Sequence, residues 1–188
     1  MKVLIIGGVA AGTKTAAKLK REDRSMEVLV LTKDADISYA GCGLPYYVGG
    51  LIEGREELIV NTPQKYAGLT GVSVETGKEV IAVNAGGKKV TARDVKSGEE
   101  KEYTYDRLVI ATGASPAVLP IPGKDLPGVF KMRTPDDAVA MRAYAEEKGV
   151  KKAVIPQDTG YVFHIVSIDR AEVADVHPFK DILLLGGH

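Results

Sequence analysis

The sequence predicts an α/β fold in three layers, with a parallel sheet and an antiparallel β-meander, and three observations carry that reading. Two apolar runs, "KVLII" at residues 2–6 and "EVLVLT" at 27–32, are joined by a glycine turn and a helical stretch, which makes one strand–helix–strand unit with parallel strands. Residues 78–106 form short polar–apolar segments broken at Ala85-Gly86-Gly87 and at Ser97-Gly98, the pattern of a meander. A further buried run, "DRLVIATG", ends on Gly113.

The elements follow in order. "KVLII" is continuously apolar, as expected of a strand covered on both faces. "GGVAAG" then opens a helix to about Arg24, packing through Ala11, Ala16, Ala17 and Leu19. "EVLVLT" is the second strand, and "GVSVETG", beyond a loop that holds Cys42, is a short third. After the meander and "DRLVIATG", a proline-rich link, "SPAVLPIPGKDLPG", leads to another helix. Thr134 caps its start, Pro135 is its first residue and Gly149 stops it. "VKKAVI" begins one more strand, and "YVFHIVSI" and "DILLLGG" read as strands that could patch a sheet. The expected organisation is a principal part over 1–113, a link over 114–134, a helix and strand over 135–155, and a tail without assignment over 156–188.

Composition excludes several function classes. Hydrophobic residues make up 45% and charged residues 27%, as in an ordinary globular protein. With 25 basic and 25 acidic residues the net charge is zero, so no global field recruits nucleic acid or an anionic membrane. The apolar run before Gly7 is too short for a signal peptide, and no run reaches membrane-spanning length. A single cysteine suits a reducing compartment and rules out a disulfide within the chain. A cytoplasmic protein with no nucleic-acid or membrane partner is expected.

The glycine turn carries the first functional signal. Gly7-Gly8-Val9-Ala10-Ala11-Gly12 follows a strand and opens a helix, and a second strand ends at Thr32, 20 residues beyond Gly12. That context suits a dinucleotide: a tight turn, close backbone approach to a pyrophosphate, and a helix N-terminus aimed at its charge. Val9 stands where the second glycine usually does. The strand ends in Thr32-Lys33-Asp34 without the usual acidic ribose ligand, so Thr32, Asp34 or a water would take that hydrogen bond.

The second signal is Cys42, in "DISYAGCGLPYYVGG". An isolated cysteine is commonly a small buried hydrophobe. Here the loop is polar and rich in glycine, and Pro45 at a helix start would set the sulfur beside N–H dipoles that stabilise a thiolate. Tyr39, Tyr46 and Tyr47 flank it and could supply a phenol, although aromatic packing is the expected role of at least two. A lone redox thiol has two routes, a mixed disulfide with a small thiol or a sulfenic acid made by peroxide. No Cys or His pair has metal-ligand spacing, so no metal is expected.

"VLIIGGVAAG", "ISYAGCGLPYYVGG" and "DRLVIATGASP", in that order, resemble the amino-terminal half of the flavin-dependent pyridine nucleotide-disulfide oxidoreductases. The likeness is to the single-cysteine branch of coenzyme A disulfide reductases and their NADH oxidase, peroxidase and persulfide reductase relatives, and it spans residues 1 to about 155. It implies a Rossmann-like FAD/NAD(P)-binding fold with FAD along the first βαβ unit, over Gly7 to Gly12, Thr32 and Lys33. The adenine would lie near the backbone of Val80, and Ala111-Thr112-Gly113 would close over the flavin side. Cys42 would be the redox cysteine. Lys14, Lys18 and Arg21 recur at i, i+4 and i+7 on one helix face, which by itself suits a solvated face. The resemblance makes them, with Ser38 and Gly41, contacts for coenzyme A.

NAD(P)H is expected for such a protein, but the second glycine fingerprint that would bind it is missing after "KKAVI". A homodimer or partner chain would supply the missing domains. Peroxidase and oxidase relatives carry a histidine where this chain has Ala10, which favours reduction of coenzyme A disulfide or a persulfide. The alternatives are an NADH oxidase or peroxidase that cycles Cys42 through sulfenic acid, and a truncated, non-catalytic nucleotide-binding remnant or subunit.

Overall fold

The computed structural model describes residues 1–116, 122–151 and 153, and the backbone of 164–165. The chain gathers into two compact units, one of Met1–Tyr39 with Ile59–Gly113, the other of Ala40–Leu58 with the described residues from Ala114 onward.

The first unit is built on a parallel sheet. Strands β1 (Lys2–Ile6), β2 (Glu27–Leu31) and β3 (Ser73–Glu75) follow one another, and β7 (Arg107–Ile110) pairs on the other side of β1, giving the order β3-β2-β1-β7. Its register runs Val3 beside Val28 and Arg107, through Ile6 beside Leu31 and Ile110. The period of two explains why β1 and β2 are apolar throughout. Val3, Ile5, Val28 and Val30 point to one face and pack with Ala16 of helix α1 (Ala10–Glu22) and Tyr66 of helix α3 (Pro63–Thr70). Leu4, Ile6 and Leu31 point to the other face and pack with Val90, Ala92, Tyr103 and Tyr105. Each such aliphatic side chain, when fully buried, contributes about 1.5–3 kcal/mol.

The second layer of strands is the expected meander, β4 (Lys78–Asn84), β5 (Lys89–Asp94) and β6 (Glu100–Thr104), paired antiparallel in that order. Its turns close by local chemistry. The Asn84 side-chain oxygen accepts from the Gly87 amide at 2.8 Å, and Asp94 Oδ1 accepts from the amides of Lys96 and Ser97, each at 2.9 Å. The unit is therefore meander, parallel sheet and helices, the three-layer α/β fold that the sequence predicts.

Helix α3 is the element that sequence reading missed. Thr62 caps it by accepting from the Lys65 amide, Pro63 is its first residue, and Gly71 ends it in the left-handed region. These are the same start and stop signals that mark Thr134, Pro135 and Gly149, in a helix short enough to pass for loop.

In the second unit, Gly41–Gly43 form one 3-10 turn that runs into helix α2 (Leu44–Val48), and a second 3-10 turn spans Arg55–Leu58. Helix α4 (Pro135–Lys148) starts at the cap expected at Thr134, which exchanges hydrogen bonds with Asp137 in a full capping box. A two-residue strand β8 (Phe130–Lys131) lies within the expected link and pairs with β9 (His164–Ile165). Apart from Val150, Lys151, Ala153 and that short pairing, the strands expected over 150–155, 161–168 and 181–187 lie outside the described residues.

Candidate dinucleotide and thiol site

The glycine turn is closed so tightly that only glycine fits at its ends. Gly7 has φ of +112°, and a Cβ there would stand 2.1 Å from the Ala111 carbonyl oxygen. A Cβ on Gly12 would stand 1.8 Å from the Gly7 oxygen, which is how α1 comes to start against the end of β1. Gly8 lies against Thr32, whose Cγ2 would be 3.0 Å from an added Cβ. The Gly7 amide donates to the Leu31 carbonyl at 2.8 Å, and the Ala111 amide to that of Ile6, also at 2.8 Å. The fold thus brings Gly7–Gly12, Thr32 and Ala111 together at the carboxyl ends of β1, β2 and β7, where open parallel sheets bind ligands.

The mouth of α1 has the polarity for an anion. Its cap residue, Val9, makes no side-chain capping bond, and its first turn, with Ala10 and Ala11, holds no acidic residue. The cap position therefore leaves the first amides of the helix without a side-chain cap of its own. Behind them Thr13 is buried, with its hydroxyl donating to the Val9 carbonyl and its own carbonyl accepting from the Tyr66 hydroxyl. Burial pushes the Tyr66 phenol upward, so it stays a neutral donor.

The remaining expected cofactor residues are arranged around this turn. Thr32 is buried at 5% exposure, and its amide and carbonyl join Glu75 and Lys78. Lys33 is exposed and pairs with Glu79 at 3.4 Å, on the strand that carries Val80. Val80 packs its side chain toward the second core cluster, just before a bulge in β4. Thr112 and Gly113 are exposed, with Gly113 at φ of +69°.

Ser38 carries a signal that the sequence does not. It is one of two non-glycine residues with positive φ among the described residues, at +50°. Its amide donates to the Gly8 carbonyl at 2.9 Å, its carbonyl accepts from the Val60 amide at 3.0 Å, and Asn61 Nδ2 lies 3.5 Å from its hydroxyl. A strained residue tied directly to a phosphate-type turn marks a constrained site.

Four residues on, Cys42 is exposed in the 3-10 turn, two residues ahead of the start of α2, and Pro45 lies in the first turn of that helix. Gly43 beneath it is buried, with Ile52 and Leu58 3.3 and 3.1 Å from where its Cβ would stand. Tyr39 and Tyr47 are buried and Tyr46 is half-buried. On α1, Lys14, Lys18 and Arg21 are all exposed. Lys18 pairs with Glu22, while Lys14 and Arg21 have no ion pair among the described residues. Gly41 is exposed beside the cysteine. A cavity lined by Lys2, Lys20, Glu27, Ser73 and Tyr103 sits at the amino ends of the strands, the wrong end for a dinucleotide. Among the described residues no His, Cys, Asp and Glu side chains gather as metal ligands, and no helix is long and apolar enough to cross a membrane.

A parallel sheet whose first strand ends on a tight glycine turn that opens a helix is the α/β arrangement of dinucleotide-binding folds. Residues 1–155 match the pyridine nucleotide-disulphide oxidoreductase family, and the chain belongs to it. It is 41% identical over 155 residues to an NADH oxidase of Methanocaldococcus jannaschii, covering 82% of this chain and 34% of the relative. It is 40% identical over 185 residues to a CoA-dependent NAD(P)H sulfur oxidoreductase of Pyrococcus furiosus, covering 98% and 39%. It is 32% identical over 161 residues to a coenzyme A disulfide reductase of Staphylococcus haemolyticus, covering 86% and 36%.

Among solved structures, reduced CoADR-RHD of Bacillus anthracis superposes with a TM-score of 0.77 at 34% identity, over 80% of this chain and 27% of that one. The chain thus spans little more than a third of the length of these curated relatives. The likeness to the Pyrococcus protein reaches well into residues 156–188, the tail that had no assignment from sequence reading.

Proposed function

We propose that this chain is the flavin-binding part of an FAD-dependent NAD(P)H oxidoreductase that reduces coenzyme A disulfide or a related persulfide through Cys42. The observation that carries the reading is the turn of Gly7, Gly8 and Gly12. Side chains are excluded at Gly7 and Gly12 by backbone approach and at Gly8 by Ile37 and Thr32, and Val9 leaves the first amides of α1 without a side-chain cap. That cradle fits the pyrophosphate of FAD, with Thr32, Lys33 and the backbone of Val80 on the adenosine side and Ala111, Thr112 and Gly113 on the flavin side. Bound flavin would supply the electron pair, drawn from NAD(P)H, that reopens a disulfide at Cys42.

The chain's own residues would do the rest. Lys14, Lys18 and Arg21 would hold the phosphates of coenzyme A, which need several spread cations rather than one. Exposed ion pairs such as Lys18–Glu22 are worth only about 0.3–0.5 kcal/mol, so a phosphate can displace Glu22 at little cost. Ser38 and Gly41 would border the thiol end. Cys42 Sγ would attack coenzyme A disulfide to form a Cys42–coenzyme A mixed disulfide, and the displaced coenzyme A thiolate would take up a proton. Ala10 supports this route over a peroxide route, because a methyl group stands where an acid–base side chain would be needed.

The test is to incubate the full chain with coenzyme A disulfide and weigh the adduct, against a Lys14→Glu/Lys18→Glu/Arg21→Glu triple variant. The parent should gain one coenzyme A, at a rate that falls with salt, and the triple variant should react at least tenfold more slowly. Equal rates with no salt effect would remove the phosphate clamp, and no adduct on Cys42 would remove the reading itself.

A further inference from the structure

We propose that Arg142, on α4, is a positioning residue for the loop that carries Cys42. The inference rests on the functional reading of Cys42 given above, but its geometry stands apart from it. Arg142 lies nearly 90 residues or more along the chain from the groups it holds. One of its terminal nitrogens, Nη1, donates to three backbone carbonyls, those of Tyr47 at 3.3 Å, Ile52 at 3.1 Å and Glu53 at 3.2 Å. Its guanidinium lies 4.8 Å from the centroid of the Tyr47 ring, and its Nε donates to Glu146 at 3.1 Å. The Arg142 side chain is only 22% exposed. A planar guanidinium that is stacked and forked in this way is a fixture, and a flexible ammonium would not reproduce it.

What it fixes is the return of the chain after α2. The Tyr47 carbonyl lies in α2, and Ile52 and Glu53 follow the Gly49-Gly50 turn, a segment that includes the left-handed Gly50 and has little side-chain packing of its own. Ile52 in turn lies against Gly43, the residue next to Cys42. A mechanical path thus runs from Arg142 through the Ile52 carbonyl and side chain to the backbone under the thiol. A second contact from the same helix, the exposed ion pair of Asp136 with Arg55 at 2.7 Å, meets the 3-10 turn at the far end of the loop. The sequence places Arg142 among the charged residues of an ordinary surface helix, and nothing in its neighbourhood on the chain announces the role.

Holding the loop would matter for attack rather than for capture of the phosphates. Orientation of a nucleophile changes the rate of the bond-forming step, while the cations on α1 set how much disulfide is bound. The test follows from that split and uses the full chain. Adduct formation at Cys42 is measured against coenzyme A disulfide concentration for the parent, Arg142→Ala and Arg142→Lys, and amide hydrogen exchange is followed over residues 43–54.

Arg142→Ala should lower the limiting rate of adduct formation at least fivefold, leave the half-saturating concentration within twofold, and speed exchange over 43–54 at least tenfold. Arg142→Lys should recover part of both. If Arg142→Ala does not fold, Arg142→Lys carries the same two readouts with smaller changes. Unchanged exchange would overturn the clamp whatever the thiol does. Faster exchange with an unchanged limiting rate would overturn the positioning role. A parent that forms no adduct, yet whose exchange still responds to Arg142, would fail the functional reading and leave the clamp standing.

Discussion

Replacing Gly7 with alanine separates close approach from backbone conformation. The residue sits at φ of +112°, and its Cβ would stand 2.1 Å from the Ala111 oxygen and 2.7 Å from the Ala111 carbon, both backbone atoms of the residue that follows β7 and whose amide donates to the Ile6 carbonyl. Moving them strains the Ala111-to-Ile6 hydrogen bond at the end of the β1–β7 ladder. The conformational cost of a side chain at such φ is about 1–3 kcal/mol. Overpacking against a fixed neighbour adds about 1–3 kcal/mol. A loss of about 2–6 kcal/mol is therefore expected, and each kcal/mol lowers the melting temperature by about 2–4 °C.

Gly98 supplies the control. It has φ of +77° in the β5–β6 turn, but a Cβ there meets nothing within 4 Å. Gly98→Ala should cost about 1 kcal/mol, from conformation alone. Thermal unfolding followed by circular dichroism gives both values. Equal destabilisation of the two variants would refute the argument that the turn is closed by backbone contact.

Two further outcomes follow from single groups. Tyr103 is held well above its ordinary range, first by burial and then by its hydrogen bond to Glu75 at 2.6 Å, so its folded-state pKa lies above the unfolded value of about 10. A raised pKa contributes stability that is complete below pH 10 and is lost as pH climbs toward the folded value. Denaturant titrations should show Tyr103→Phe about 1 kcal/mol less stable at neutral pH, with the gap to the parent narrowing above pH 10; a constant gap would contradict the assignment. Thr134→Ala removes the cap of α4, which Asp137 completes from the other side, and should cost about 1 kcal/mol, read as earlier unfolding of α4 by hydrogen exchange.

Much of the fold was legible because its signals are local or periodic. The continuous apolar runs of β1 and β2 announce strands buried on both faces, and each face indeed meets its own core cluster. Thr134, Pro135 and Gly149 act within a few residues of themselves and bound α4 as expected. Helix α3 carried the same signals in Thr62, Pro63 and Gly71 but offered only eight residues of pattern, too few for periodicity to register. The glycine turn could be read as a phosphate cradle, yet the spacing alone does not say that Gly7 is pressed against Ala111, a residue 104 positions later.

By itself, then, the sequence determined the parallel βαβ unit, the meander, the capped helix α4 and the family, because propensity, capping and motif spacing all act over short stretches of chain. Tertiary structure alone decided the rest. It set Ser38 in a left-handed conformation through its bonds to Gly8 and Val60, and it seated Gly12 on the oxygen of Gly7. It also assigned residues 40–58, with Cys42, to the unit of α4, where Arg142 grips three of their carbonyls. Apart from that of Gly12 with Gly7, those contacts join residues far apart along the chain. Their partners are fixed by packing and by the need of buried backbone groups for hydrogen bonds, neither of which leaves a period or a motif to read.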